Sequence, residues 1–340
     1  MINGIYTLAN DVVFDQLVAL LNSIEANVGK EIPVCVIPYD NNLTRVRAEI
    51  DTRDNVTLFN DTDSIAYWED FVTKAWKAHA RAQKAWREKG MAEVHCLKMH
   101  RKLCSFDGPF EKFIYFDADT LSMGPLESVY QKLDEDDWVA NDFQYKSDHK
   151  FVFDCPEEQL LQVFDSSEPN AHIFCAGWFA SKKGVFNQVK LEKLLEQLSS
   201  GEADIMALWW ADQSLFNYMV WRSNISFYNF AYHDLDKATG SHCDSKFDVV
   251  DHVLYDKGRR LTYLHYLSIP SSKFTKICAG EDVDIPYQDL FLHYRYLKSP
   301  EQRPKQLVRP SFLVRAQRAT NSFINKKVGN MKQKLRKLKT

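Results

Sequence analysis

Two short apolar runs rich in β-forming residues open the sequence, separated by a stretch with helical periodicity, and this order strongly constrains the fold. The first run, "NGIYTLAN", is followed by a helical pattern that Asn10 or Asp11 caps and Gly29 ends. The second run, "IPVCVIPYD", ends in a polar turn. Strands joined through a helix lie parallel in one sheet. We therefore predict an α/β fold with a mainly parallel central sheet flanked by helices. Further along, the pattern predicts one long helix over 64–89, another helix over 91–105, and short strands with loops over about 225–297.

The stretch "KFIYFDADT", residues 112–120, places two aspartates one residue apart at the end of another apolar run. Ligands of open α/β sheets bind beyond the carboxyl ends of the strands, where Asp117 and Asp119 fall. Two carboxylates at this spacing suit Mn²⁺ or Mg²⁺, with phosphate oxygens completing the coordination. Such a cation would offset charge on a diphosphate leaving group. The alternative is a structural turn in which an aspartate caps the next segment.

Composition excludes several classes of protein. The chain has 340 residues, is 45% apolar and contains no uncharged apolar run of about 18 residues, so no membrane span is expected. The N-terminus does not resemble a secretory signal. Seven scattered cysteines without a CxxC pair predict neither a zinc knuckle nor a disulfide framework, and they favour a cytoplasmic location.

Charge is distributed unevenly along the chain. Twelve of the 43 basic residues and no acidic residue lie after residue 302, which leaves the first 302 residues with a net charge of −15. We predict a main domain at 1–299, a proline-rich linker at 300–310 and a basic amphipathic helical tail at 311–340. The tail suits peripheral contact with an anionic membrane surface, although packing on the domain or a partner, or a solvated tail, would also fit. An acidic body without a basic aromatic patch argues against nucleic acid.

Several stretches together resemble one known family. "KFIYFDADT" is similar to the DxD segment of glycosyltransferases with the nucleotide-diphospho-sugar (GT-A) fold, nearest to the glycogenin-like family 8 group. Other similar segments occur in the family's order over roughly residues 2–275, namely "YTLAND", "CLKMHRKL", "FCAGWFASKKGVF", "ADQSLFN" and "LHYLSIPSSKF".

The resemblance assigns roles to individual residues. The implied metal ligands are Asp117, Asp119 and His265. The residues implied to contact the nucleotide or its phosphates are Thr7, Ala9, Asn10, Asp40, Lys98, Asp117 and Lys273. Those placed near the transferred sugar and the acceptor are Asp142, Asp212 and Gln213. Aromatic faces at Trp209 and Trp210 could stack on an acceptor sugar, or could belong to the core.

The sequence departs from the family pattern at several positions. Cys175 and Ala176 replace Asn-Ser before Gly177, Ser268 stands in place of glycine, and Phe274 follows Lys273 where Pro-Trp is usual. The donor sugar and the acceptor could therefore both differ from those of the family's best-known members.

These observations predict a metal-dependent glycosyltransferase that uses a nucleotide-diphospho-sugar, with UDP favoured. The acceptor hydroxyl could belong to a glycan, a lipid or a protein. The resemblance implies retention of configuration by a front-face mechanism, since no carboxylate is a convincing nucleophile. A nucleotidyltransferase is one alternative, but "TLANDVVFDQ" lacks the glycine-rich basic loop such enzymes usually carry. A non-catalytic sugar-nucleotide-binding scaffold is the other.

Overall fold

The computed structural model describes residues 2–164, 169–311 and 314, and its described strands and helices alternate along most of the chain. The strands are β1 Asn3–Ala9, β2 Val34–Pro38, β3 Val56–Leu58, β4 Lys112–Asp117, β5 Thr120–Ser122, β6 Trp138–Ala140, β7 Trp178–Lys182, β8 Phe227–Asn229, β9 Asp248–Val250, β10 Val253–Asp256, β11 Arg259–Arg260 and β12 Tyr263–His265. The α-helices are α1 Phe14–Asn27, α2 Thr44–Ile50, α3 Thr62–Lys77, α4 Ala80–Glu88, α5 Glu127–Lys132, α6 Glu157–Val163, α7 Gln188–Ser199, α8 Ala211–Arg222, α9 Phe230–His233, α10 Ser271–Cys278 and α11 Gln288–Arg295.

Within these residues a seven-stranded sheet in the order β3-β2-β1-β4-β7-β6-β8 forms the centre of the molecule. Every neighbouring pair is parallel except the two that involve β7, which runs antiparallel to β4 and β6. This arrangement confirms the predicted α/β fold with a mainly parallel central sheet. The carboxyl ends of β1, β2 and β4 meet at one edge, which becomes the floor of the candidate site.

The strand β1 shows why the central runs are mostly apolar on both faces. Tyr6 and Leu8 pack into the hydrophobic cluster on one side of the sheet, whereas Ile5 and Ala9 pack into the cluster on the other side. Side chains of a strand alternate between faces, so a strand covered on both faces needs apolar residues at every position.

Local structure differs from the sequence prediction in several places. The single helix expected over 64–89 is two helices, α3 and α4, separated at His79, whose buried ring Nε2 lies 3.0 Å from the Met206 carbonyl oxygen. The helix expected over 91–105 is a 3-10 helix, Leu97–Phe106. The region 225–297, expected to hold short strands and loops, also contains α10 and α11.

A two-stranded sheet beside the main one connects the later part of the chain to the DxD segment. Strand β12 pairs antiparallel with β5, and the register places His265 opposite Thr120. The Tyr266 amide also donates to the Asp119 carbonyl oxygen at 2.9 Å. Backbone pairing therefore fixes His265 beside Asp119.

The end of the described chain contacts the segment that follows α10. Val308 forms a backbone bridge with Glu281, and the Arg309 guanidinium donates to the Asp282 carboxylate at 2.9 Å. Except for Ser311 and Val314, the predicted basic tail lies outside the described residues, so its membrane role stays a prediction. Among the helices of the described chain, none combines the length and apolar character needed to cross a bilayer.

Candidate functional site

Three predicted metal ligands come together at the carboxyl edge of the sheet. Asp117 ends β4, Asp119 follows two residues later, and His265 ends β12; one ligand atom from each lies within 4.8 Å of the others. The His265 Nε2 lies 3.4 Å from an Asp119 carboxylate oxygen. Two carboxylates and an imidazole form a donor set that suits Mn²⁺ or a similar divalent cation.

A glycine permits this close grouping. A Cβ atom built on Gly177 would lie 2.4 Å from the His265 Cε1 and 3.0 Å from the Asp117 Oδ2. Gly177 does not have a positive φ, so it is the lack of a side chain, and not backbone freedom, that matters here. The three ligands, and the space left by the missing side chain at Gly177, fit a small cation held between the aspartates and the histidine.

A buried lysine that sequence analysis did not single out lies beside the ligands. The Lys102 side chain has no exposed surface, and its Nζ lies 3.2 Å from the Asp117 Oδ1 and 3.0 Å from the Asp212 Oδ2. It also donates to the Ala176 carbonyl oxygen at 3.1 Å. Lys102 therefore ties the end of β4 to the first turn of α8.

Lys98, the lysine predicted from the resemblance, lies on a different side of the same 3-10 helix. Its side chain is 46% exposed, and its Nζ is 4.0 Å from the Asp40 carboxylate. A 3-10 helix has three residues per turn, so residues four apart are rotated by about 120°, against about 40° in an α-helix. Lys102 thus reaches Asp117, while Lys98 points to Asp40 beyond the end of β2. A phosphate contact of Lys98 stays a prediction.

Tyr115 and Lys102 orient the Asp117 carboxylate. The Tyr115 hydroxyl, from the same face of β4, donates to the Asp117 Oδ1 at 2.7 Å, and the Lys102 ammonium lies 3.2 Å from that oxygen and 3.5 Å from the Oδ2. The Oδ2 is the oxygen that faces Gly177. Burial raises the pKa of Asp117, although the Lys102 ammonium opposes that rise. Burial also acts to raise the pKa of Asp212, but there the Lys102 ammonium prevails and the pKa is lowered.

The other nitrogen of the predicted histidine ligand faces a thiol. The Cys175 Sγ lies 3.9 Å from the His265 Nδ1. The Cys175 amide donates to the Asp142 Oδ2 at 3.1 Å, and the Gln144 amide donates to the Asp142 Oδ1 at 2.7 Å. Both oxygens of Asp142 therefore accept backbone hydrogen bonds, and a contact with the sugar stays a prediction. Burial raises the pKa of Asp142 to about 6.

A cavity of about 470 Å³ extends from the aspartates over the ends of β1 and β2. The predicted nucleotide contacts Ala9, Asn10 and Asp40 line it, and the Asn10 amide donates to the Asp40 carboxylate at 3.1 Å. Its apolar lining includes Val12, Val13, Tyr39, Met99 and Ile269. An apolar pocket with a few polar groups next to a cation site suits a nucleoside.

Two further cavities continue from this one. A central cavity of about 380 Å³ shares Asp117 and Asp119 with the first, and its lining also includes Asp212 and Gln213. A third cavity of about 240 Å³ shares His265 with the central one. The three form one groove along the edge of the sheet, with the proposed metal ligands near its middle.

Two predicted contacts lie away from this groove. Thr7 is fully buried two residues before Ala9, and its hydroxyl has no hydrogen-bond partner within the described part of the chain. The Lys273 Nζ donates to the Asp284 carbonyl oxygen at 3.3 Å. The roles of Thr7 and Lys273 in nucleotide binding stay predictions.

Comparison with known proteins identified similar folds only among solved structures. A scan of protein-family models found no match to the sequence, and a search of curated proteins found none either. The apo structure of the bifunctional glycosyltransferase WbbM has 15% sequence identity and a TM-score of 0.54, covering 90% of this chain and 52% of that one. This chain thus spans about half the length of WbbM.

Two other glycosyltransferases are similar at lower scores. The galactosyltransferase LgtC, solved with donor and acceptor sugar analogues, has 13% identity and a TM-score of 0.49, covering 84% of this chain and 98% of LgtC. Mouse xyloside xylosyltransferase 1 in its apo form has 10% identity and a TM-score of 0.47, covering 67% of this chain and 84% of that one. The match to WbbM establishes that this chain has a fold found in glycosyltransferases.

Proposed function

We propose that the chain is a metal-dependent glycosyltransferase that moves a sugar from a nucleotide-diphospho-sugar to an acceptor hydroxyl. The observation that carries the proposal is the meeting of Asp117, Asp119 and His265 at the junction of two cavities. One of these cavities has the apolar and polar lining that suits a nucleoside, and the other continues towards Asp212 and Gln213. A sugar nucleotide lying across the junction would place its diphosphate beside the three ligands.

Each part of the site then has a role. Asp117, Asp119 and His265 would hold a divalent cation, Mn²⁺ or Mg²⁺, which when bound would offset the charge of the diphosphate leaving group. Tyr115 and Lys102 orient Asp117, and Lys102 also keeps the Asp212 carboxylate in place. Asn10 and Asp40 would bind the nucleoside, for which we propose uridine on the basis of the resemblance.

We propose retention of anomeric configuration on the basis of the resemblance. A double displacement would need a free carboxylate as nucleophile near the sugar. Both carboxylate oxygens of Asp142 accept hydrogen bonds from backbone amides, and an Asp212 carboxylate oxygen lies 3.0 Å from the Lys102 Nζ. These contacts favour a front-face reaction in which a phosphate oxygen of the leaving group accepts the proton of the acceptor hydroxyl.

A donor-hydrolysis screen tests the proposal. Purified full-length protein is incubated with UDP-, GDP- and ADP-sugars in the presence of Mn²⁺, and release of nucleoside diphosphate is measured. We expect hydrolysis of one nucleotide class and a fall of about 100-fold or more in Asp119→Asn, because loss of a ligand charge weakens cation binding.

The matched control is Asp148→Asn, which changes an exposed aspartate whose carboxylate caps a 3-10 turn and lies 3.9 Å from the His149 Nδ1. Excess chelator must also abolish hydrolysis in the wild type. If Asp119→Asn turns over as fast as Asp148→Asn, or if chelator has no effect, the metal role proposed here is wrong.

A further inference from the structure

Two adjacent tryptophans at the edge of the central cavity are exposed, unlike the others in the chain. Six of the eight tryptophans are buried, whereas Trp209 and Trp210 are 43% and 47% exposed. They immediately precede α8, whose first turn carries Asp212 and Gln213. Single exposed apolar residues are common on protein surfaces, but an exposed indole beside a cavity lined by carboxylates indicates contact with a ligand.

The two rings have different surroundings. The Lys89 ammonium lies 3.7 Å above the centroid of the Trp209 ring, and the His95 ring approaches Trp209 edge-on. Trp210 lines the central cavity, and among the described residues its ring makes no stacking or cation–π contact. Trp209 is thus held against neighbouring side chains, whereas Trp210 offers an open aromatic face to whatever enters the cavity.

We propose that Trp210 is the stacking surface for the acceptor, and that the acceptor is an uncharged saccharide; this inference rests on the proposed function. The C–H face of a pyranose packs on an indole ring, while the hydroxyls at its rim hydrogen-bond to nearby polar groups. The Gln213 amide and the Asp212 carboxylate lie on the turn that follows Trp210 and supply such groups.

Charge and polarity in the cavity disfavour the other acceptor classes. No lysine or arginine is among the described residues that line it. The nearby positive charges are already matched, because Lys102 pairs with Asp117 and Asp212 and the proposed cation would be shared by Asp117, Asp119 and the donor diphosphate. A phosphate or carboxylate on the acceptor next to Trp210 would therefore lack a cationic partner. A purely aliphatic chain would remove Asp212 and Gln213 from water without offering them hydrogen-bond partners, which is unfavourable. A neutral sugar satisfies both the aromatic face and the polar groups.

The test compares transfer with donor hydrolysis in the wild type, Trp210→Ala, Trp210→Phe and Trp209→Ala. Maltose, lactose and cellobiose serve as saccharide acceptors, and diacylglycerol in neutral detergent micelles serves as the lipid acceptor. The ratio of transfer to hydrolysis does not depend on how much of each preparation is active. We expect a fall of about 3- to 10-fold in that ratio for Trp210→Ala, seen as a higher acceptor KM. Trp210→Phe should recover part of the loss, and Trp209→Ala should keep the wild-type ratio.

A binding measurement without donor separates this inference from the proposed function. Saturation-transfer NMR with the same three disaccharides reports saccharide contact even if no sugar nucleotide is hydrolysed. The signal should be present in the wild type and in Trp209→Ala and weak in Trp210→Ala. The inference is overturned if no disaccharide binds or accepts sugar, if diacylglycerol is the acceptor, or if Trp210→Ala and Trp209→Ala behave alike. Absence of hydrolysis with every donor, together with Trp210-dependent disaccharide binding, would refute the proposed function alone.

Discussion

Replacing Gly177 with alanine tests whether the three proposed ligands act as one cation site. The added Cβ would lie 2.4 Å from the His265 Cε1, so the ring must retreat by about 1 Å to reach the 3.4 Å of ordinary van der Waals contact. Metal–ligand distances tolerate deviations of only about 0.2 Å, and a displacement of about 1 Å at a reacting centre can cost about 100-fold. We therefore expect the Kd for Mn²⁺ to rise about 100-fold in Gly177→Ala, which is about 2.7 kcal/mol.

The assay is a Mn²⁺ titration followed by the electron paramagnetic resonance signal of the free ion, with thermal unfolding of each variant to confirm a folded protein. Gly258→Ala is the control, because its φ of +78° makes alanine unfavourable while no atom lies within 4 Å of the new Cβ. That control should lose about 1 kcal/mol of stability and keep its affinity for Mn²⁺. Wild-type Mn²⁺ affinity in a cooperatively folded Gly177→Ala protein would refute the geometry of the site.

Three other substitutions test separate parts of the argument. Lys102→Met should lower the free energy of unfolding by about 3–5 kcal/mol, because it leaves the largely buried carboxylates of Asp117 and Asp212 without their cationic partner, whereas Lys98→Met should change it by less than about 1 kcal/mol. Equal effects in urea denaturation would contradict the assignment. Ser268 has a φ of +66°, so Ser268→Gly should raise the stability by about 0.5–1 kcal/mol, and an unchanged or lower melting temperature would count against strain there. The pKa of Asp142 is raised to about 6, so the folded state binds a proton that the unfolded state releases, and stability should increase as pH falls from about 7 to 4. In Asp142→Asn, the change in the free energy of unfolding between pH 7 and pH 4 should be smaller by about 3 kcal/mol. If the urea midpoints of this variant change with pH as those of the wild type do, Asp142 is not the source of the effect.

The central sheet could be predicted because strands that are buried on both faces appear in the sequence as short, mostly apolar runs. The runs that became β1, β2 and β4 are mostly apolar, with Thr7 as a buried polar residue within β1, and the connecting helix between the first two implies parallel pairing. The position of Asp117 at a strand end followed from the same pattern. The antiparallel direction of β7 could not be predicted in this way, because the apolar character of a strand is independent of its direction.

The lysine that contacts Asp117 shows where the sequence pattern was insufficient. Lys98 and Lys102 belong to the same segment, and only the conformation of the backbone decides which of them faces the sheet edge. A 3-10 helix of ten residues is unusual, and its residues carry no local feature that distinguishes it from an α-helix. One signal was present: Lys102 is followed directly by "LCSF", as expected for a segment entering the core.

Two positions at which the sequence departs from the family it resembles, Ser268 and Cys175, have a distinctive local geometry. Ser268 adopts the left-handed conformation that glycine accepts without strain, so glycine would suit this position better than serine. Cys175 supplies a thiol next to His265, in a place where metal-binding histidines usually have an oxygen acceptor. Neither the backbone angle nor the histidine contact could be deduced from one sequence.

Because β5 pairs with β12, the third proposed cation ligand comes from a segment more than 140 residues after the two aspartates. Asp117 ends a strand of the central sheet and Asp119 follows in the next turn, whereas His265 arrives only when β12 has docked. A cation bound to all three would fasten two distant stretches of polypeptide and close the long loop between them, so occupancy of the site and completion of the fold would become thermodynamically linked. A fragment that stops before β12 would retain the two carboxylates but not the imidazole that joins the later part of the chain to them.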